Sequence, residues 1–66
     1  MLDRERLLSK GYAQVGNNVF VRFDDKNNVI YKASFLGNFL MVSATTKKGK
    51  LNDALAHQEI ARIKKE

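Results

Sequence analysis

The segment Thr45-Thr46-Lys47-Lys48-Gly49-Lys50 sets three ammonium groups around a glycine, directly ahead of a stretch from Asn52 to Lys65 that reads as helix. Lysines at the start of a helix oppose its dipole, at a cost of roughly a few tenths of a kcal/mol. An anion that joins the free backbone N–H groups of the first turn removes that cost, and helix end and lysines then form one phosphate site. Lys47, Lys48 and Lys50 are therefore candidate contacts to a nucleic-acid backbone. The plainer reading of the same residues is a solvated, flexible linker. The segment is not a P-loop, because two glycines spaced around a Lys-Ser/Thr pair are missing.

Phe20, Arg22 and Lys32 form a second candidate set. On one face of a sheet with Phe39 and Met41, their rings could stack on unpaired bases while the cations hold the backbone. Ile30 and Leu36 fall on the same expected face and add nothing to base stacking. A protein interface built from Phe20, Ile30, Leu36, Phe39 and Met41 is thus the competing reading.

Catalysis has little to work with. His57 is the only histidine, and Asp53, four residues before it, stands at the ordinary spacing of a helix pair. Asp24 and Asp25 lie in a polar turn and suit backbone hydrogen bonding better than acid–base work. Ser9, Ser34 and Ser43 have no histidine in a local constellation. Arg62, Lys64 and Lys65 occupy a last helical turn, where the dipole favours cations. With no cysteine there is neither disulfide nor thiolate metal site. The sequence predicts no enzyme, no metal and no cofactor.

Composition bounds the rest. Sixty-six residues make one domain, 1–66, with a small core. A hydrophobic fraction of 44% and a charged fraction of 29% are those of a folding chain. Twelve Lys and Arg against seven Asp and Glu give +5, which favours anionic partners, DNA or RNA among them. No apolar run is long enough to cross a bilayer, and Met1-Leu2-Asp3-Arg4-Glu5-Arg6 lacks the order of a signal peptide. A cytoplasmic location is expected, without membrane contact.

The elements that must hold these residues follow from periodicity. Leu2 to Lys10 predicts a short helix, with Asp3 as cap, Leu2 stapled onto Leu7, and Gly11 closing the last turn. Val19 to Phe23, Val29 to Leu36 and Phe39 to Ala44 predict strands, and Tyr12 to Val15 a shorter fourth. Asp24 to Asn28 is the loop between the first two, and Gly37-Asn38 a two-residue hairpin turn. That turn sets Leu36 opposite Phe39, Phe35 opposite Leu40, Ala33 opposite Val42 and Tyr31 opposite Ala44. With Phe23 opposite Val29, the core face carries Val19, Val21, Phe23, Val29, Tyr31, Ala33, Phe35, Leu40, Val42 and Ala44. The outer face then carries Phe20, Arg22, Ile30, Lys32, Ser34, Leu36, Phe39, Met41 and Ser43.

The last helix shows two stripes, Ala56, Ile60 and Ile63 on one side and Leu51, Leu55, Ala54 and Ala61 on another. Either it starts after Leu51, or one stripe packs on the sheet while Leu51 and Leu55 meet a second subunit. The expected fold class is α+β: a short N-terminal helix, an antiparallel meander of three or four strands, and a C-terminal helix on one face.

This order, with Lys47, Lys48 and Lys50 ahead of the last helix, resembles the double-stranded RNA-binding fold, which implies phosphate contacts from those lysines. The alanine-rich basic run that the family carries in register on that helix is missing. The opening Leu7-Leu8-Ser9-Lys10-Gly11-Tyr12, followed by Gly16 and Val19-Phe20-Val21, is similar to small HicA-type messenger RNA interferases. Asn17 and Asn18 stand where their catalytic histidine would follow the glycine, so the resemblance carries no nuclease activity across. The leading expectation is a basic, non-catalytic nucleic-acid-binding or regulatory module that uses Lys47, Lys48, Lys50, Arg22, Lys32 and Phe20. Its alternative is a homodimeric inhibitor or adaptor of the kind borne by phages and mobile elements. There Phe39, Met41, Ile30, Leu36, Leu51 and Leu55 form the interface.

Overall fold

The computed structural model describes residues 2–65. In chain order they form α1 (Arg4–Ser9), β1 (Ala13–Gly16), β2 (Val19–Asp24), β3 (Val29–Leu36), β4 (Phe39–Thr46) and α2 (Asp53–Lys64). The four strands make one antiparallel meander in the order β1-β2-β3-β4. Both helices contribute buried residues to a single core, which lies on one side of the sheet.

Capping determines where α1 begins and ends. The Asp3 carboxylate accepts from the Arg6 N–H at 3.1 Å, satisfying one of the unpaired donors of the first turn. At the other end Gly11, with φ +94°, lets its own N–H reach Leu8 O at 3.2 Å and the Tyr12 N–H reach Leu7 O at 3.1 Å. This double closure sends the chain straight into β1 and brings Tyr12 over Leu7, both buried. Leu2 packs against the same core, as a staple requires.

The hairpin between β3 and β4 has the expected register at all four predicted pairs, with Gly37 at φ +60° in the turn. β1 is present as a four-residue strand with a bulge between Gln14 and Gly16. The Asn18 side chain extends the β2–β3 ladder by bonding both the N–H and the C=O of Phe35.

β2 differs from expectation by one residue, and the difference inverts its faces. Asp24 belongs to the strand and pairs with Val29, because its carboxylate accepts from the Lys26 N–H at 3.0 Å and the Asn27 N–H at 3.3 Å. The turn thereby closes on residues 25–28, and Asn28 takes the left-handed conformation, φ 61°. Since side chains alternate with period two, this single step moves Phe20 and Arg22 to the helix side and Val19, Val21 and Phe23 to the open side. Phe20 is a core residue, 2% exposed, with its ring edge-on to Phe35 at 6.4 Å.

α2 starts after Leu51, with Asn52 as cap accepting from the Leu55 N–H at 3.0 Å. Ala56, Glu59 and Ile63 are its buried line, and Leu55 is half-buried against the core. The start after Leu51 resolves the two-stripe conflict: Leu55 belongs to the core and is withdrawn as an interface residue. Ala33, Ala44 and Ala56 are all buried where the helix meets the sheet, and small side chains there let the backbones approach.

Candidate binding surfaces

The helices leave the other side of the sheet uncovered. Neighbouring residues across its strands are Phe23–Ile30–Thr45, Val21–Lys32–Ser43, Val19–Ser34–Met41 and Leu36–Phe39. Apolar side chains dominate: Phe39 is 76% exposed and Leu36 67%, while Phe23, Ile30 and Met41 are about half exposed. Lys32 is the one cation within this grid, set between Val21 and Ser43. It borders a shallow depression of about 170 Å³ that is also lined by Ser34, Met41 and Ser43. Four of the expected outer-face residues, Ile30, Leu36, Phe39 and Met41, are therefore brought together, with Phe23 as a fifth that the inverted β2 adds. Leu51 is 70% exposed and bridged to Thr45 at the border of this surface.

Phe20 and Arg22, expected beside Lys32, lie on the opposite side. Arg22 points into a polar cluster under α2 whose centre is Glu59, only 3% exposed. Arg22 Nε and Nη2 donate to the two carboxylate oxygens, each at 3.0 Å. Arg62 Nε and Nη2 donate to the same two oxygens at 2.9 and 3.0 Å, and Tyr12 Oη donates to Oε2 at 2.5 Å. The Arg22 guanidinium also lies over the Tyr31 ring at 4.7 Å, and the second Nη2 donor of Arg62 reaches Lys10 O at 2.9 Å. One carboxylate so ties α2 to β2 and to Tyr12, in the link between α1 and β1, while Arg62 ties it to the end of α1.

Burial alone would raise the Glu59 carboxyl, but the hydrogen bonds from Arg62, Arg22 and Tyr12 outweigh it and hold its pKa down to about 2. The Tyr12 hydroxyl is pushed well above its ordinary range by burial and by that same carboxylate. Among the described residues no buried side-chain polar atom lacks a partner, so the hydrogen bonding of the cluster is complete within the chain. Glu59 carries no motif, which is why sequence reasoning passed over it. The available signal was a carboxylate spaced between Ala56 and Ile63 on the stripe that had to be buried.

Lys47, Lys48 and Lys50 are exposed on a separate turn and not on the first turn of α2. The Thr46 N–H donates to Lys50 O at 2.8 Å, the Gly49 N–H to Thr46 O at 2.9 Å, and the Lys50 N–H to Thr46 Oγ1 at 3.2 Å. Gly49, at φ +82°, permits this closure. The Leu55 N–H of α2 is taken by the Asn52 side chain, which leaves fewer free donors at the helix end than an uncapped helix would offer. Pairing of Val29 with Thr46 sets the lysine turn beside the 25–28 turn, which brings Lys26 to the same end of the sheet. His57 is exposed on α2, and Asp24 serves its turn. Among the described residues no helix is long and apolar enough to cross a membrane.

No family model, curated protein or solved structure matches this chain.

Proposed function

We propose that the chain is a small non-catalytic binding module whose open sheet face docks the apolar surface of a protein partner. The observation that carries this reading is the exposure of Phe39, Leu36, Phe23, Ile30 and Met41 on one uncovered face. An apolar surface of that kind ordinarily marks an interface. Lys32 at its centre favours a partner that offers a carboxylate there, since a lysine buried without one would lose its hydration uncompensated. A chain free of cysteine suits work in a reducing compartment such as the cytoplasm.

The test is capture by the immobilised chain from a nuclease-treated extract at high salt. A partner should be held equally by the wild type and by Lys47→Ala, Lys48→Ala, Lys50→Ala, and lost with Phe23→Asp or Phe39→Asp. Retention of the same partner by both face variants would refute the reading.

A second reading, binding of a DNA or RNA backbone, is favoured by the gathering of Lys26, Lys47, Lys48 and Lys50 at one end of the sheet. Three phosphate contacts predict that log K falls with log salt at a slope of about −2 to −3. The triple alanine variant should flatten that slope, and an unchanged slope would eliminate the turn. Lys32 could add to this contact from the open face, whereas Phe20 and Arg22, enclosed under α2, are not part of it.

A further inference from the structure

The two edges of the sheet are treated differently, and the difference identifies a partner. β1 is four residues long and bulged, and one of its side chains occupies backbone carbonyls at its end: Gln14 Nε2 donates to Gly16 O at 3.0 Å and to Asn17 O at 3.3 Å. Short length and a bulge are the usual means of blunting an edge. β4, Phe-Leu-Met-Val-Ser-Ala-Thr-Thr, has eight residues, regular register, no charge and no proline. Such an edge is a template for another strand.

Only part of it is occupied. The Thr46 N–H bonds Lys50 O, and the Ala44 C=O accepts from the Asn52 N–H at 2.9 Å, so the even-numbered residues of β4 point their polar backbone groups away from β3. Alternation along an antiparallel strand assigns the N–H and C=O of Leu40 and Val42 to the same outer edge. Among the described residues no other strand is paired to β4 there, and the single bridge beyond β3 joins Thr45 to Leu51. The open stretch runs from Phe39 to Ser43, bounded by the Gly37-Asn38 turn at one end and by Asn52 at the other.

We infer that this edge pairs with β4 of a second copy, antiparallel and centred on Met41, to give a continuous eight-stranded sheet. In that register Leu40 and Val42 of the second copy exchange both of their hydrogen bonds, and the two-fold axis repeats the exchange. Phe39 comes opposite Ser43, and the second chain turns away at Gly37-Asn38 where Asn52 begins to occupy this edge. A longer foreign strand would meet Asn52, whereas the hairpin of a second copy ends in time. Space is free at the turn, because a Cβ at Gly37 would meet nothing within 4 Å. The absence of charge on β4 means that two chains of +5 can join here without opposing like charges in the paired segment. Met41 then meets its own counterpart on the open side and Leu40 meets Val42 on the helix side. This pairing is independent of what the open face docks.

Light scattering over a dilution series should give about twice 7.5 kDa for the wild type, and the same for Phe23→Asp, which alters the open face far from the edge. Single cysteines in this cysteine-free chain then report the register. Opposed Met41 Cα atoms in a non-hydrogen-bonded pair stand about 4.5 Å apart, within reach of a disulfide. Phe39 faces Ser43 and lies roughly 13 Å from the second Phe39, which is out of reach. Under mild oxidation Met41→Cys should link to itself at least tenfold faster than Phe39→Cys or Ser43→Cys alone, and an equal mixture of the latter two should cross-link. A monomer mass at every concentration would overturn the proposal. So would a dimer in which Phe39→Cys links to itself fastest, which would mean that the open faces meet.

Discussion

Replacing Glu59 by glutamine removes one charge from the point where α2, β2 and Tyr12 are tied together. The carboxylate accepts five hydrogen bonds from Tyr12, Arg22 and Arg62. An amide of the same shape keeps one acceptor oxygen and presents donors to two guanidinium groups. Breaking a buried ion pair by removing one member costs about 3–5 kcal/mol. A chain of 66 residues is expected to have roughly 3–10 kcal/mol in total, so Glu59→Gln should lose most of its stability at pH 7. The pH dependence supplies an internal control. Folding lowers the Glu59 pKa from its ordinary 4.5 to about 2, so between those values the unfolded chain binds more protons than the folded one. The stabilisation is complete above pH 4.5 and lost as pH falls toward 2. It amounts to about 3 kcal/mol in full, of which about 2 has gone at pH 3. Urea unfolding followed by circular dichroism, at one protein concentration and at pH 7 and pH 3, measures both effects. The wild type should lose about 2 kcal/mol more than Glu59→Gln over that interval. Equal losses in the two proteins, or a cost below about 1 kcal/mol at pH 7, would refute the account of Glu59 as the central tie.

Three further outcomes follow from the placement of single residues. Phe20→Ala should cost about 3–5 kcal/mol in urea unfolding, because the ring is enclosed against Phe35; a fully stable variant would return Phe20 to the surface. Asp3→Ala should cost about 1 kcal/mol by loss of the α1 cap, read as a shift of the urea midpoint with an unchanged slope. Leu36→Asp should change stability by less than about 0.5 kcal/mol, since the side chain is 67% exposed on β3 and away from the β4 edge, and a larger loss would show that the face is not free.

Much of the architecture was legible because local chemistry carries it. Asp3 and Gly11 bracket α1, Gly37-Asn38 sets the β3–β4 register, and Asn52 stands at the start of α2, each acting on backbone groups within a few residues. The open face of β3 and β4 was legible for the same reason, since Leu36, Phe39, Met41 and Ile30 follow from one turn and period-two alternation.

β2 escaped that logic. Its hydrophobic residues Val19, Phe20, Val21 and Phe23 lie on both faces, so pattern alone does not choose the register, and a one-residue change in the loop reverses the outcome. The Asp24 carboxylate, bonded to the Lys26 and Asn27 N–H groups, chose it. Phe20 and Arg22, expected on a binding surface, therefore belong to the helix side of the sheet. The Glu59 cluster was equally hidden: Tyr12, Arg22, Glu59 and Arg62 are spread over fifty residues of chain, and nothing local marks them as neighbours. The sequence by itself determined the elements, their order and the turns, because these depend on backbone hydrogen bonds closed within short segments. Tertiary structure alone decided which side of β2 faces α2 and how a buried carboxylate is neutralised, because both require groups far apart in the chain to meet.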